Sequence, residues 1–110
     1  MNQIERSLEI VATYQKHGWN LQRVLLTAET GALFEAKGTP FPDAKVEAAA
    51  IDALWFSRSS HQRREAWELR LVADAPFALF ETFEIDETEA QREEMRRELE
   101  ARMRGHVAKS

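Results

Sequence analysis

The chain has 110 residues, with 15 Lys or Arg against 19 Asp or Glu, a net charge of −4 and no cysteine. That length fits one domain, 1–110, able to bury roughly two-thirds of its unfolded surface. Without cysteine there is no disulfide framework, thiol nucleophile or thiolate-held metal, and the acidic balance argues against nucleic acid as a partner.

Residues 2–17 read as a helix. Ile4, Leu8, Val11 and Ala12 recur at helical spacing, and Asn2 with Glu5 has the spacing of a capping box. Gly18 follows His17, where a left-handed terminating residue sits. Glu5 and Glu9 interrupt the apolar residues, unlike a secretory signal. The longest apolar stretch, 75–80, is far short of the roughly 20 residues a membrane helix needs. A cytoplasmic protein with no membrane span is expected.

Residues 21–27, rich in branched apolar side chains, predict a strand. Glu29, Thr30 and Gly31 read as a turn, with Leu33 and Phe34 as a short returning strand. Two prolines and a glycine make 37–43 a loop. Strands follow at 50–58 and 65–73, joined by a polar turn at 59–64. In the second, Trp67, Leu69 and Leu71 share one face while Glu68 and Arg70 share the other. A turn centred between His61 and Gln62 sets Arg58 opposite Glu65 and Phe56 opposite Trp67. A one-residue slip pairs Trp55 with Trp67 instead, so two registers stay open.

A last strand is expected at 77–85, with Phe77, Leu79 and Phe83 on one face. Asp86 and Glu89 repeat the capping spacing and start a second helix that runs to about Arg104. Its apolar stripe is Met95, Leu99 and Met103, and Glu93–Arg97, Glu98–Arg102 and Glu100–Arg104 are ion-pair candidates four apart. Residues 106–110 are expected to fray. The order gives an α+β fold: an N-terminal helix, an antiparallel meander of four to five strands and a C-terminal helix.

Residues 51–56 are apolar on both strand faces apart from Asp52, and Ala78 and Phe80 lie opposite Phe77 and Leu79. A strand apolar on both sides is normally buried on both. Because the second helix has a narrow apolar stripe, the expected cover for the second sheet face is another copy of the chain, in a homodimer. The alternative is one helix layer on each face.

No constellation for catalysis stands out. His17, His61 and His106 lack the close helical spacing of metal ligands, and Ser57, Ser59 and Ser60 lack a nucleophile elbow. The glycines at 18, 31, 38 and 105 form no phosphate loop. Neither a metal nor a cofactor is expected. Asp52 reads as a structurally paired carboxylate, with Arg70 as one candidate partner. Arg92, Arg96, Arg97, Arg102 and Arg104 alternate with glutamates, the composition of a solvated helix face. What remains is Trp55, Ser57, Arg58, Trp67 and Arg70 on neighbouring strands, with Phe80 on the last. Tryptophan and arginine concentrate energy at interfaces. The sequence thus points to a non-enzymatic protein acting by association, with itself or with an extended segment of another protein along a sheet edge. The alternative is a small-molecule domain with a groove between sheet and helix, walled by these side chains.

Overall fold

The computed structural model describes residues 1–109. Helix α1, Gln3–Lys16, begins with the expected capping box: the Glu5 N–H donates to Asn2 Oδ1 at 2.8 Å, and the Asn2 N–H to Glu5 Oε1 at 3.2 Å. Gly18, at φ 87°, turns the chain out of the helix through a conformation that costs glycine little. Strand β1, Asn20–Leu26, follows.

The expected turn and short strand at 29–34 are instead one helix, α2, Ala28–Lys37. Thr27 caps it, its hydroxyl accepting from the Thr30 N–H at 3.3 Å, and Gly38 at φ 83° ends it. Ala28, Glu29, Ala32, Leu33, Glu35 and Ala36 are strong helix formers that outweigh the single Gly31. The loop that follows leads into strand β2, Lys45–Ala48, which sequence patterning does not reveal. The crossover helix brings β2 back parallel to β1, pairing Val24 with Val46. Among the described residues, this is the one departure from an antiparallel sheet.

Strands β3, Ala53–Ser59, β4, Glu65–Leu71, and β5, Ala78–Phe83, complete a sheet of order β2-β1-β3-β4-β5. Neither expected hairpin register occurs. Ser59 pairs with Glu65, Ser57 with Trp67 and Phe56 with Glu68. The loop is centred on Gln62 rather than between two residues, because Gln62 and Arg63 both adopt left-handed backbone, φ 57° and 64°. Helix α3, Glu89–Lys109, starts after a reciprocal cap of Thr88 and Gln91, two residues beyond the Asp86 expected. The fraying expected from 106 does not occur through Lys109: the His106 ring stacks on Phe77 with centroids 3.6 Å apart, and Val107 packs on the core. Ser110 lies outside the described residues.

The sheet carries a helix layer on each face. Val24, Leu26, Leu54, Phe56 and Ala66 pack under Ile10 and Val11 of α1 and Phe34 of α2. Leu25, Ala53, Trp55, Trp67, Leu69 and Phe83 pack under Leu99 and Met103 of α3. This explains the doubly apolar third strand, since Leu54, Trp55 and Phe56 are all fully buried. The face for which a second copy of the chain was the expected cover is covered by α3 of the same chain. Among the described residues, no helix is long and apolar enough to cross a membrane.

Candidate functional site

The six residues singled out by sequence are divided between the two faces. Trp55 and Trp67 meet edge-on under α3, with ring centroids 5.9 Å apart. Ser57 shares that face by strand alternation, and its hydroxyl accepts from Gln22 Nε2 at 3.0 Å. Arg58, Arg70 and Phe80 have the opposite parity and lie on the α1 side. Arg58 is seated over Trp19, 4.4 Å from the ring centroid, and not near Trp55 or Trp67. Arg70 donates to the Leu71 carbonyl at 2.6 Å. Phe80 is 56% exposed on β5, at a sheet edge.

The space between α3 and Trp67 holds a side chain. Arg96 fills that space, its guanidinium 4.1 Å from the Trp67 centroid and donating to Glu89 at 2.8 Å and Glu93 at 3.1 Å. Trp55 Nε1 donates to Glu100 Oε2 at 2.8 Å. Arg97 then links Glu100, Glu93 and Glu47, and Arg23 reaches Glu93 at 2.8 Å. Helical spacing places residues 93, 96, 97 and 100 on one side, so this face of α3 is a polar seam beside the stripe of Leu99 and Met103. Arg96 and Glu100 are buried, which corrects the reading of the whole helix exterior as solvated. Of the expected helix pairs, Glu93–Arg97 forms, whereas Glu100 bonds Arg97 rather than Arg104. Burial works to raise the Glu47 and Glu93 carboxyls, but arginine and lysine donors outweigh it and hold both below the usual glutamate range.

Asp52 is structurally paired, though not with Arg70. Its carboxylate accepts from the Thr27 N–H at 2.8 Å, the Thr30 hydroxyl at 2.6 Å and Gln3 Nε2 at 2.9 Å. One carboxylate therefore ties the starts of α1 and α2 to β3. On the same face, Tyr14 stacks on Phe56 at 4.1 Å and donates to Glu68. Burial and that carboxylate push the phenol well above its ordinary range.

Two concavities lie elsewhere, at opposite ends of β1. A groove of about 580 Å³ runs between α2 and β2, lined by Leu26, Ala28, Ala32, Phe34, Val46 and Ala48 together with Thr27, Gly31, Glu35, Gly38, Thr39 and Glu47. Small side chains on α2 leave this space open, and Val46 beside it is 48% exposed. Among the described residues, β2 has no partner on its outer edge. The Ala49 N–H donates to Leu26 at 2.8 Å, so strand alternation turns the N–H groups of Val46 and Ala48 away from the sheet. The sequence signal that was missed is the alanine and glycine spacing of 28, 31 and 32, legible only once α2 is known to be a helix. The second concavity, about 640 Å³, lies between the end of α1 and the β3–β4 loop, lined by His17, Gly18, Asn20, Arg58, Ser59, Ser60 and His61. Among the described residues, no group of three or more histidines or carboxylates is arranged to hold a metal. No family model, no curated protein and no solved structure matches the chain. The two concavities and the open edge of β2 are the features of the described residues that could receive another molecule.

Proposed function

We propose that the chain is a non-enzymatic, cytoplasmic association protein whose β2 edge and adjoining α2 groove receive an extended segment of a partner polypeptide. The observation that carries this reading is the pairing of the two features: an unpartnered strand edge beside an open apolar groove. An added strand takes its affinity from main-chain hydrogen bonds to the outward groups of Val46 and Ala48. Alternate side chains of that strand project on one face, and the groove supplies an apolar seat for one of them. Glu35 at the rim has no ion pair among the described residues, and favours a basic neighbour in the partner segment. Without cysteine, the chain has no need of an oxidising compartment.

The small-molecule alternative moves to the same groove, because the groove's volume falls within the range of ligand sites, about 300–1,000 Å³, while the space beside the tryptophans is filled. Photocrosslinking separates the occupants. A benzophenone amino acid at position 46 is expected to form adducts with a partner polypeptide in the cell of origin, at a short segment identified by mass spectrometry. Ala48→Pro removes an outward donor without touching the β1 ladder, and is expected to abolish those adducts while leaving the melting temperature close to wild type. Adducts joining two copies of this chain would make the occupant a second protomer. Absence of polypeptide adducts, with a small molecule retained in the native mass spectrum, would replace this reading with the ligand one.

A further inference from the structure

The cleft beside the β3–β4 loop is chemically unlike the rest of this acidic chain. Its lining offers one guanidinium, two imidazoles, two serine hydroxyls and an asparagine amide, and no carboxylate. Among the described residues Arg58 has no ion-pair partner, and neither the Ser59 and Ser60 hydroxyls nor the His61 ring makes a hydrogen bond within the chain. Lys16 and Arg63 flank the lining in sequence and carry no ion pair either. In a chain of net charge −4, Arg58 with the flanking Lys16 and Arg63 thus forms a local group of cations that no carboxylate neutralises among the described residues.

Arg58 is held ready. Its guanidinium lies over Trp19 at 4.4 Å, and Nη1 donates to the His17 carbonyl at 3.0 Å, leaving other N–H donors of the fork unused. The carbonyl end of α1 abuts the cleft and would repel an anion, but four of its oxygens already accept hydrogen bonds. Thr13 O takes His17 Nδ1 at 2.8 Å, Tyr14 O and Gln15 O take the backbone N–H groups of 17–19, and His17 O takes Arg58. Beside the lining, Gln62 and Arg63 are the left-handed central residues of the hairpin turn that the Arg64 N–H closes on the His61 carbonyl at 3.1 Å.

We infer that this cleft binds the terminal phosphate of a small phosphomonoester. A lining of one guanidinium, two imidazoles and two serine hydroxyls, with no carboxylate, suits a tetrahedral group with three charged oxygens better than a planar carboxylate. A volume of about 640 Å³ also leaves space for the organic part of the molecule. The site lies at the other end of β1 from the proposed peptide groove, so each stands or falls without the other.

Amide chemical-shift titration of the full chain tests it, with glycerol phosphate and inorganic phosphate as separate arms. Saturable shifts are expected at Gly18, Ser59, Ser60 and His61, with a Kd below about 1 mM for the ester. Equal affinity for inorganic phosphate identifies the ion itself as the ligand; tighter binding of the ester shows that the organic part contributes. Arg58→Gln and His61→Glu are each expected to weaken binding by about tenfold or more. Arg102→Gln removes the same charge from the exposed side of α3 and is expected to change nothing. If Arg58→Gln fails to fold, His61→Glu decides, because His61 supports nothing else in the fold. The inference is overturned by no saturation up to about 10 mM, by unchanged affinity in His61→Glu, or by an equal loss in Arg102→Gln. Binding of a single-stranded oligonucleotide without binding of the monoester would also overturn it, in favour of a polyanion surface.

Discussion

The indole N–H of Trp55 donates to the Glu100 carboxylate at 2.8 Å, joining the central strand to the C-terminal helix through a buried polar contact. Removing the acceptor leaves a buried donor without a partner. Glu100→Ala is expected to lower unfolding free energy by about 2 kcal/mol, whereas Glu100→Gln retains an acceptor and costs under about 1 kcal/mol. Urea denaturation with an unchanged slope measures both. Equal losses in the two variants would show that the indole bond contributes nothing.

Arg96 makes the opposite prediction. Its side chain is 3% exposed and its Nε has no partner, yet one of its carboxylates, Glu89, is largely in water. Replacing it leaves Glu89 in water and Glu93 still paired with Arg23 and Arg97, rather than an orphaned buried charge. Arg96→Met, which keeps the apolar stem over Trp67, is expected within about 1 kcal/mol of wild type, and Arg96→Ala to lose about 2–3 kcal/mol through the cavity it opens. A large loss in the methionine variant would mean that the ion pair itself is stabilising.

Asp52 ties together elements that are distant in sequence. Asp52→Ala is expected to cost about 2–4 kcal/mol, since it strands the Thr27 N–H, the Thr30 hydroxyl and the Gln3 amide. Hydrogen exchange should show protection lost first in α2, with α3 and β4 retaining theirs. Uniform loss across the sheet would contradict the assignment of Asp52 as a local tie.

Acid should weaken the α3 seam in a defined direction. Glu47 and Glu93 are held below their ordinary value of 4.5. Their contribution is complete above that value and is lost as pH falls through the depressed folded values. Arg97 donates to both. The melting temperature of Arg97→Gln is therefore expected to fall less steeply than wild type between about pH 5 and about pH 3. Parallel curves would place the acid sensitivity elsewhere.

Local signals carried α1 from sequence to structure, because its capping box, apolar spacing and terminal glycine all agree. The α+β class followed from the same kind of signal, and so did the approximate places of β1, β3, β4 and β5. α2 was hidden by Glu29-Thr30-Gly31, three residues that serve a turn or the first turn of a helix equally well. Missing it also concealed β2, whose four residues alternate too briefly to be seen. The hairpin register depended on left-handed backbone at Gln62 and Arg63, neither of them a residue that announces it. The tryptophan–arginine group was legible as a set of residues but not as a place. Strand parity sends Trp55 and Trp67 to one face and Arg58 and Arg70 to the other, and the partner of Arg58 is Trp19, distant in sequence.

The order of elements also has a consequence during synthesis. α3 lies C-terminal to every strand, so the sheet can form while Trp67, Leu69 and Phe83 are still wet on the face that α3 will cover. A nascent chain halted before residue 89 presents a broad aromatic surface, the kind of transient exposure that drives aggregation and recruits chaperones. The glutamates and arginines along the inner side of α3 keep that helix from being a second sticky surface while it waits to dock. Its many charges thus serve the unfinished protein as well as the finished one.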